Sequence, residues 1–190
     1  LSYRDFIMEY VRISENRIGA VIGREGEIKD KIEKALEVKM DVNSGEGIVH
    51  IENKGSDPLG GWKARDVVTA ISYGIKPDTA LRLRSDSYQL FIINLTDIVG
   101  RSKKAVIRQK ARIIGRDGKT KDHITELTGA AISIRGKHVA ILGHSDDAYL
   151  AKEAVEGLAG GLPHSVVYKL LEKKCAEQKR KSTVEMWRKR

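Results

Sequence analysis

The sequence has few of the residues on which several classes of protein depend. It contains a single cysteine, Cys175, so no disulfide can form within the chain, and this fits a reducing compartment. No apolar run approaches the roughly 20 residues that a membrane-spanning helix needs. The first residues also lack the basic and then apolar arrangement of a signal peptide. These absences predict an intracellular protein that we expect in the cytoplasm and away from membranes.

The patterns that enzymes and metal sites use are also missing. The five histidines are scattered without the spacing of metal ligands, and Cys175 has no second cysteine with which to hold zinc. A Walker loop is absent, as are paired carboxylates beside a candidate nucleophile. Asp146 and Asp147 fit a helix cap better than a metal site. We therefore predict no enzyme activity, no catalytic residue, no metal and no cofactor.

An excess of positive charge gives the first indication of a partner. The chain of 190 residues, long enough for one or two domains, carries a net charge of +9 with a pI near 9.6. Such a balance favours a polyanion, either nucleic acid or an acidic membrane surface. A basic pI can also serve solubility alone, so the position of the charge matters more than its total.

Two segments of the chain repeat one pattern at a distance of 92 residues. Each contains Gly-x-x-Gly with an arginine after the first glycine, in one segment at Gly23 and Gly26 and in the other at Gly115 and Gly118. Each loop joins an apolar helix end to an amphipathic helix, and two short alternating segments then predict a β-hairpin. An apolar strand precedes each unit and a helix closes it. The pattern predicts an α+β fold in which the order strand, helix, helix, strand, strand, helix occurs twice along the chain.

The setting of these two loops gives them more weight than their spacing alone. Glycine lets the backbone approach a ligand closely, and the helix that follows presents unpaired N–H groups to a phosphate. Arg116 and Lys119 add positive charge at the second loop. A third such spacing, from Gly157 to Gly160, contains no charged residue, and we interpret it as a helix C-cap. The alternative for the first two is a plain corner between helices.

The second loop and its surroundings resemble a type I KH domain, and the residues that carry the resemblance are Ile-Ile-Gly-Arg-Asp-Gly-Lys at 113–119. In that family the loop clamps about four single-stranded nucleotides by their backbone, and the bases lie in an apolar groove. The resemblance implies RNA contacts at the loop and its basic neighbours, namely Arg112, Gly115, Arg116, Asp117, Gly118, Lys119 and Lys121. It implies a groove lined by Ile113, Ile114, Thr120, Ile132 and Ile134, and a matching first site at Gly23, Arg24 and Gly26.

Four stretches extend the resemblance along the chain, at residues 76–83, 115–121, 138–143 and 161–168. Together they resemble the family of KH proteins of small-ribosomal-subunit maturation that partner the Nob endonuclease in archaea and eukaryotes. This resemblance implies binding of single-stranded RNA near the 3′ end of the small-subunit rRNA. It also implies contact with the Nob endonuclease and with the alpha subunit of archaeal translation initiation factor two.

The repeat also divides the chain. We predict a first KH domain, a connecting segment, a second KH domain and a basic C-terminal tail, at residues 1–73, 74–86, 87–168 and 169–190. The opening strands are expected at 6–11 and 88–93, and a short helix at 77–83. In the tail nine basic residues face three acidic ones and the apolar stripe is thin. It is therefore either a solvated terminus or a helical arm along the RNA.

Charge separates the two units and leaves two other functions open. Residues 101–121 contain nine basic residues and one acidic, whereas residues 12–34 contain six basic and five acidic. Because phosphate contacts supply much of nucleic-acid affinity, we expect the second unit to dominate. The alternatives are an exosome-type RNA-decay cofactor, for whose usual barrel domain no residues remain, and a scaffold whose first unit binds protein.

We expect the protein to prefer single-stranded to duplex RNA, because the groove beside a KH loop admits one strand with its bases splayed. Only 5% of the residues are aromatic, so the bases should be held by aliphatic contacts and hydrogen bonds more than by stacking. Titration with an unpaired oligonucleotide and with a hairpin stem of matched length measures the preference. Equal affinity for the two would contradict it.

Overall fold

The structure is a computed structural model that describes residues 8–188, without the side chains of 182–186 and 188. It is an α+β chain that divides into two compact units between residues 90 and 91, called here the first and the second unit. The first contains β1 (Met8–Arg12), α1 (Glu15–Ile22), α2 (Glu27–Leu36), β2 (Val38–Asn43), β3 (Ile48–Asn53), α3 (Gly60–Ser72) and α4 (Pro77–Ala80). The second contains β4 (Tyr88–Asn94), which crosses the boundary, α5 (Leu95–Val99), α6 (Lys103–Ile114), α7 (Lys119–Thr128), β5 (Ala131–Arg135), β6 (His138–His144), α8 (Ser145–Ala159) and α9 (His164–Arg188).

Each unit contains a three-stranded sheet whose middle strand comes last in the sequence. The strand orders are β1-β3-β2 and β4-β6-β5. β2 runs antiparallel to β3 with Met40 opposite Ile51, and β5 runs antiparallel to β6 with Ile132 opposite Ile141. β2 and β5 are therefore edge strands, and one side of each has main-chain groups that no neighbouring strand uses.

The hydrophobic pattern explains why these residues form these elements. Along β2, Val38 and Met40 are buried while Lys39 and Asp41 are exposed, which is the period of two that a half-buried strand requires. Ile32 on α2 has no exposed surface and lies on the same helical face as Leu36, four residues later. The α+β class predicted from the sequence is confirmed. Of the opening strand expected at 6–11, residues 6 and 7 lie outside the described residues.

The segment expected to connect the two units folds against the first one. It contains α4 and a single 3₁₀ turn at Leu81–Arg84, where a helix at 77–83 was predicted. Ala80 and Leu83 are buried. The Lys63 ammonium on α3 lies 3.0 Å from a carboxylate oxygen of Asp86. This segment therefore adds apolar contacts and an ion pair to the first unit.

The C-terminal residues form a long helix that packs against the second unit. Val167, Leu171 and Cys175 lie on one face of α9 and are 3–7% exposed. Lys174 Nζ donates to Glu153 Oε2 over 2.6 Å, and Gln178 Nε2 donates to Asp147 Oδ1 over 2.9 Å. Of the two alternatives for the tail, a solvated terminus is therefore wrong as far as residue 178, because Leu171 and Cys175 of its apolar stripe are buried, although Leu170 is half exposed.

The described helices also bear on membranes and on thiol chemistry. Within residues 8–188, no helix combines the length and the apolar character that crossing a bilayer requires. Burial raises the pKa of the Cys175 thiol, which keeps it in the unreactive protonated form. The single cysteine thus acts as a small apolar residue under α9.

Replacing Leu171 by alanine should lower the free energy of unfolding by about 2–4 kcal/mol, because it leaves a cavity under α9. The matched control is Leu170→Ala on the same helix, where the side chain is 50% exposed and the loss should stay below about 1 kcal/mol. Urea unfolding of both variants measures the difference. Equal losses would mean that α9 does not belong to the core.

Candidate nucleic-acid interface

The turn between α6 and α7 forms the second Gly-x-x-Gly loop. Gly115, which ends α6, has φ 75° and ψ 175°, a combination available to glycine and to few other residues. A Cβ atom at this position would lie 2.7 Å from the main-chain nitrogen of Thr120, closer than van der Waals contact permits. Asp117 has φ 54°, a left-handed conformation that aspartate tolerates. The backbone therefore reverses sharply and brings the end of α6 against the start of α7.

This loop presents positive charge to solvent. Arg116 and Lys119 are exposed, and no ion pair holds either of them within residues 8–188. The first turn of α7 has no side-chain cap, and the N–H group of its first residue, Lys119, donates to the carbonyl oxygen of Arg116. The positive end of the helix dipole therefore lies at the loop without a carboxylate cap. Lys121 is half-buried and lies 3.3 Å from Asp122. Residues 115–119, called here the cradle, thus combine the N-terminus of α7 with the exposed cations Arg116 and Lys119, a combination suited to phosphate.

The residues predicted to line the groove differ in how deeply their side chains are buried. Ile113 is completely buried, Thr120 is 5% exposed and Ile132 is 9% exposed. Ile114 and Ile134 are only partly buried, so their side chains offer apolar surface to a ligand. Ile113, Ile132 and Ile134 pack in one cluster of the second unit. The buried members therefore belong to the core of the second unit, and of the five predicted groove residues only Ile114 and Ile134 expose part of their surface.

Arg112 has a different environment from the one expected of an RNA contact. Its Nη2 donates to the carbonyl oxygen of Leu162 over 2.5 Å, and its buried Nε has no hydrogen-bond partner in the described part of the chain. Beside it lie three side chains that sequence reasoning did not select: His123, His164 and Tyr168. The signal that could have found two of them was the distinctive stretch at 161–168, which contains His164 and Tyr168.

The first loop has nearly the same backbone as the second. Gly23 has φ 78° and ψ −176°, and Glu25 has φ 52° where Asp117 has 54°. A Cβ atom on Gly23 would lie 2.8 Å from the main-chain nitrogen of Ile28, the residue that corresponds to Thr120. Gly23, Arg24 and Gly26 therefore stand in the same relation to α2 as their counterparts do to α7.

Acidic side chains pair with the lysines that follow the first loop on α2. Lys31 Nζ lies 3.1 Å from Glu27 Oε1, and hydrogen bonding to Glu27 raises the pKa of Lys31. Lys29 Nζ lies 3.9 Å from Glu33 Oε1. The same Glu33 oxygen accepts a hydrogen bond from the main-chain nitrogen of Met40 over 2.6 Å, on the open side of β2. In the first unit two lysines of α2 and one main-chain donor of the edge strand thus have acidic partners.

The corresponding positions of the second unit differ. Thr125 takes the place of Glu33, and among residues 8–188 no side chain accepts from the main-chain N–H of Ile132, which corresponds to Met40. The same part of the chain contains no group of three or more His, Cys, Asp or Glu that could hold a metal ion. The second loop therefore combines exposed cations with few acidic neighbours, a combination that favours an anionic ligand.

Comparison with known proteins covers both the site and the whole chain. Residues 89–176 match the model of the Eukaryotic type KH-domain (KH-domain type I). The KH domain-containing protein MJ0443 of Methanocaldococcus jannaschii is 40% identical over 98% of this chain and 82% of its own length. The pre-rRNA-processing protein pno1 of Aspergillus fumigatus is 32% identical over 62% of this chain, which spans about half (47%) of that relative.

A solved structure extends the likeness to three dimensions. It is the crystal structure of an a/eIF2alpha-aDim2p-rRNA complex from Pyrococcus horikoshii OT3, one chain of which matches with a TM-score of 0.83 and 44% identity. The match covers 90% of this chain and 95% of that one. With a full-length archaeal relative, a matching KH model and this similarity of structure, the chain belongs to the KH-domain family of ribosome maturation factors that includes the Dim2 and Pno1 proteins.

Proposed function

We propose that the protein is a single-stranded RNA-binding factor of rRNA processing that holds the 3′ region of the small-subunit rRNA at its second loop. The observation that carries this proposal is the cradle at Gly115 to Lys119, where two exposed cations flank the uncapped N-terminus of α7 and the adjoining Ile114 is only partly buried. Single-stranded RNA offers both a phosphate backbone and splayed bases, so it fits the two halves of the site. Members of this family are RNA-binding factors and not enzymes.

The relatives support the proposed partners. The Pyrococcus horikoshii complex joins a protein 44% identical to this chain with rRNA and with the alpha subunit of an initiation factor. We extend both partners to this protein, and we keep the Nob endonuclease as a third, on the resemblance noted in the sequence. A place in the cytoplasm follows from this role, since both initiation factors and ribosomal precursors are found there.

The first unit is also assigned as a KH domain, so the chain contains two in tandem. The assignment is supported by its element order and by the backbone of its loop, which follow those of the second unit. Its RNA contact is expected to be the weaker one. Glu27 occupies the position of Lys119, and the ion pairs with Glu27 and Glu33 leave Lys31 and Lys29 less able to attract phosphate.

A protein-binding role for the first unit is the second candidate. The observation that favours it is the composition of β1, where Met8 and Tyr10 are 67% and 72% exposed. These two side chains belong to an edge strand of the first sheet. Contact with another protein would bury them, whereas RNA binding at the loop would leave them in solvent.

Reversing the charge at Arg116 should weaken binding of a single-stranded oligonucleotide by at least about 1–2 kcal/mol, because Arg116→Asp removes a phosphate contact and adds repulsion. Arg24→Asp is the matched change in the first loop and should cost clearly less. Both side chains are exposed, so neither change should alter folding. Fluorescence anisotropy titrations at fixed salt measure both affinities. A loss at Arg24 as large as the loss at Arg116 would overturn the assignment of the stronger site.

Replacing Glu27 by lysine should strengthen RNA binding, because it gives the first loop the residue that follows the second and releases Lys31 from its ion pair. The slope of log affinity against log salt concentration should become steeper, by an amount that corresponds to about one or more additional counterions released on binding. Asp30→Lys, also on α2 but one turn further from the loop, controls for net charge. If both variants bind equally well, total charge rather than the loop determines the gain.

A further inference from the structure

The stretch at 161–168, which the proposed function does not use, lies against the second loop. Gly161 and Pro163 lead from α8 into α9, which begins at His164. The buried Val167 and Leu171 hold the start of α9 against the second unit. A short apolar anchor therefore fixes the polar side chains of this segment beside the two helices that flank the loop.

The first contact of this segment is with the end of α6. His164 Nε2 lies 3.0 Å from the carbonyl oxygen of Arg112. Because a carbonyl oxygen can only accept, Nε2 must carry the proton. Arg112 Nη2 in turn donates to the carbonyl oxygen of Leu162. Two hydrogen bonds thus join the last turn of α6 to this segment, one to Leu162 just before α9 and one to His164 at its start.

The second contact is with the start of α7. The Tyr168 hydroxyl donates to Thr120 Oγ1 over 3.0 Å. The Tyr168 ring packs edge-on against His123, with ring centres 4.6 Å apart, and against His164, with centres 6.0 Å apart. These rings fix the direction of the phenol, so the hydroxyl can point only towards α7.

Thr120 connects this bond to the loop itself. Its main-chain nitrogen and its side chain leave no room for a Cβ atom on Gly115. Any movement of Thr120 must therefore move the first glycine of the loop or open the contact between them. Thr120 is 5% exposed, so its hydroxyl cannot exchange Tyr168 for bulk water without local opening.

From these contacts we propose that Tyr168 is a positioning residue of the RNA site: it holds Thr120 against Gly115 and keeps the loop in its phosphate-binding shape before RNA arrives. The inference rests on the proposed function of the second loop. A loop that is already ordered loses less conformational entropy on binding, so the same contacts give a higher affinity. In the first unit Ile28 stands in place of Thr120 and has no hydroxyl to accept such a bond.

The test removes one oxygen atom. Tyr168→Phe keeps the ring against His123 and His164 and deletes the bond to Thr120. Tyr149→Phe on α8 is the control, since it makes the same chemical change on a ring that is 52% exposed and contacts Lys152 of its own helix. We expect Tyr168→Phe to bind a single-stranded oligonucleotide about two- to tenfold more weakly, the factor that one hydrogen bond can supply, and Tyr149→Phe to bind like the unmodified protein.

Two further measurements separate positioning from general stability. Amide hydrogen exchange at residues 115–119 of the free protein should be faster in Tyr168→Phe and unchanged in Tyr149→Phe. In a double-mutant cycle on RNA affinity, the double variant Thr120→Val with Tyr168→Phe should lose no more affinity than Thr120→Val alone. Each change breaks the same hydrogen bond, so the second has nothing further to remove. Unchanged affinity in Tyr168→Phe, or losses that simply add, would overturn the inference.

The outcomes also distinguish this inference from the function on which it rests. If the unmodified protein binds no single-stranded RNA, or if Arg116→Asp has no effect, the proposed function fails. If Arg116→Asp weakens binding while Tyr168→Phe does not, the function stands and only the role of Tyr168 is rejected. Circular dichroism melting of each variant establishes that a lost affinity is measured on a folded protein.

Discussion

The close approach of Gly115 to Thr120 is the constraint on which the candidate site depends. The absence of a side chain at Gly115 allows the backbone to reverse between α6 and α7 within a few residues. The reversal brings the uncapped N-terminus of α7 and the exposed Arg116 side chain into one loop. It also sets the exposed loop directly after the end of α6, where Ile113 is completely buried. The phosphate site that we propose therefore depends on one steric condition.

The two units share this backbone condition and differ in the charges around it. Their loops share positive φ values and the same tight contact between the first glycine and the following helix. They differ in what surrounds the loop, because Glu27 and Glu33 pair with the lysines of α2 while Lys119 has no such partner among the described residues. Coulombic forces extend over several ångströms in water, so side chains outside a loop contribute to its attraction for an anion.

Helix α9 illustrates how a strongly basic segment can also be structural. Its charged residues suggested an arm in solvent, and many of them are exposed. The residues Val167, Leu171 and Cys175 recur every four positions and are enough to bury one face. The start of the helix is therefore held firmly, and through His164 and Tyr168 this rigidity reaches both helices that flank the loop.

The sequence by itself determined the fold class, the repeated order of elements and the position of both glycine loops, because periodicity and glycine spacing are local properties of the chain. It also located the excess of charge at the second loop. Only the tertiary structure decided that Arg112 bonds to Leu162, that Ile113 is buried, that Glu33 accepts from Met40 of β2, and that Tyr168 bonds to Thr120. The pair Tyr168 and Thr120 is separated by 48 positions in the sequence. Contacts at such distances depend on how helices pack, and no local pattern of residues records them.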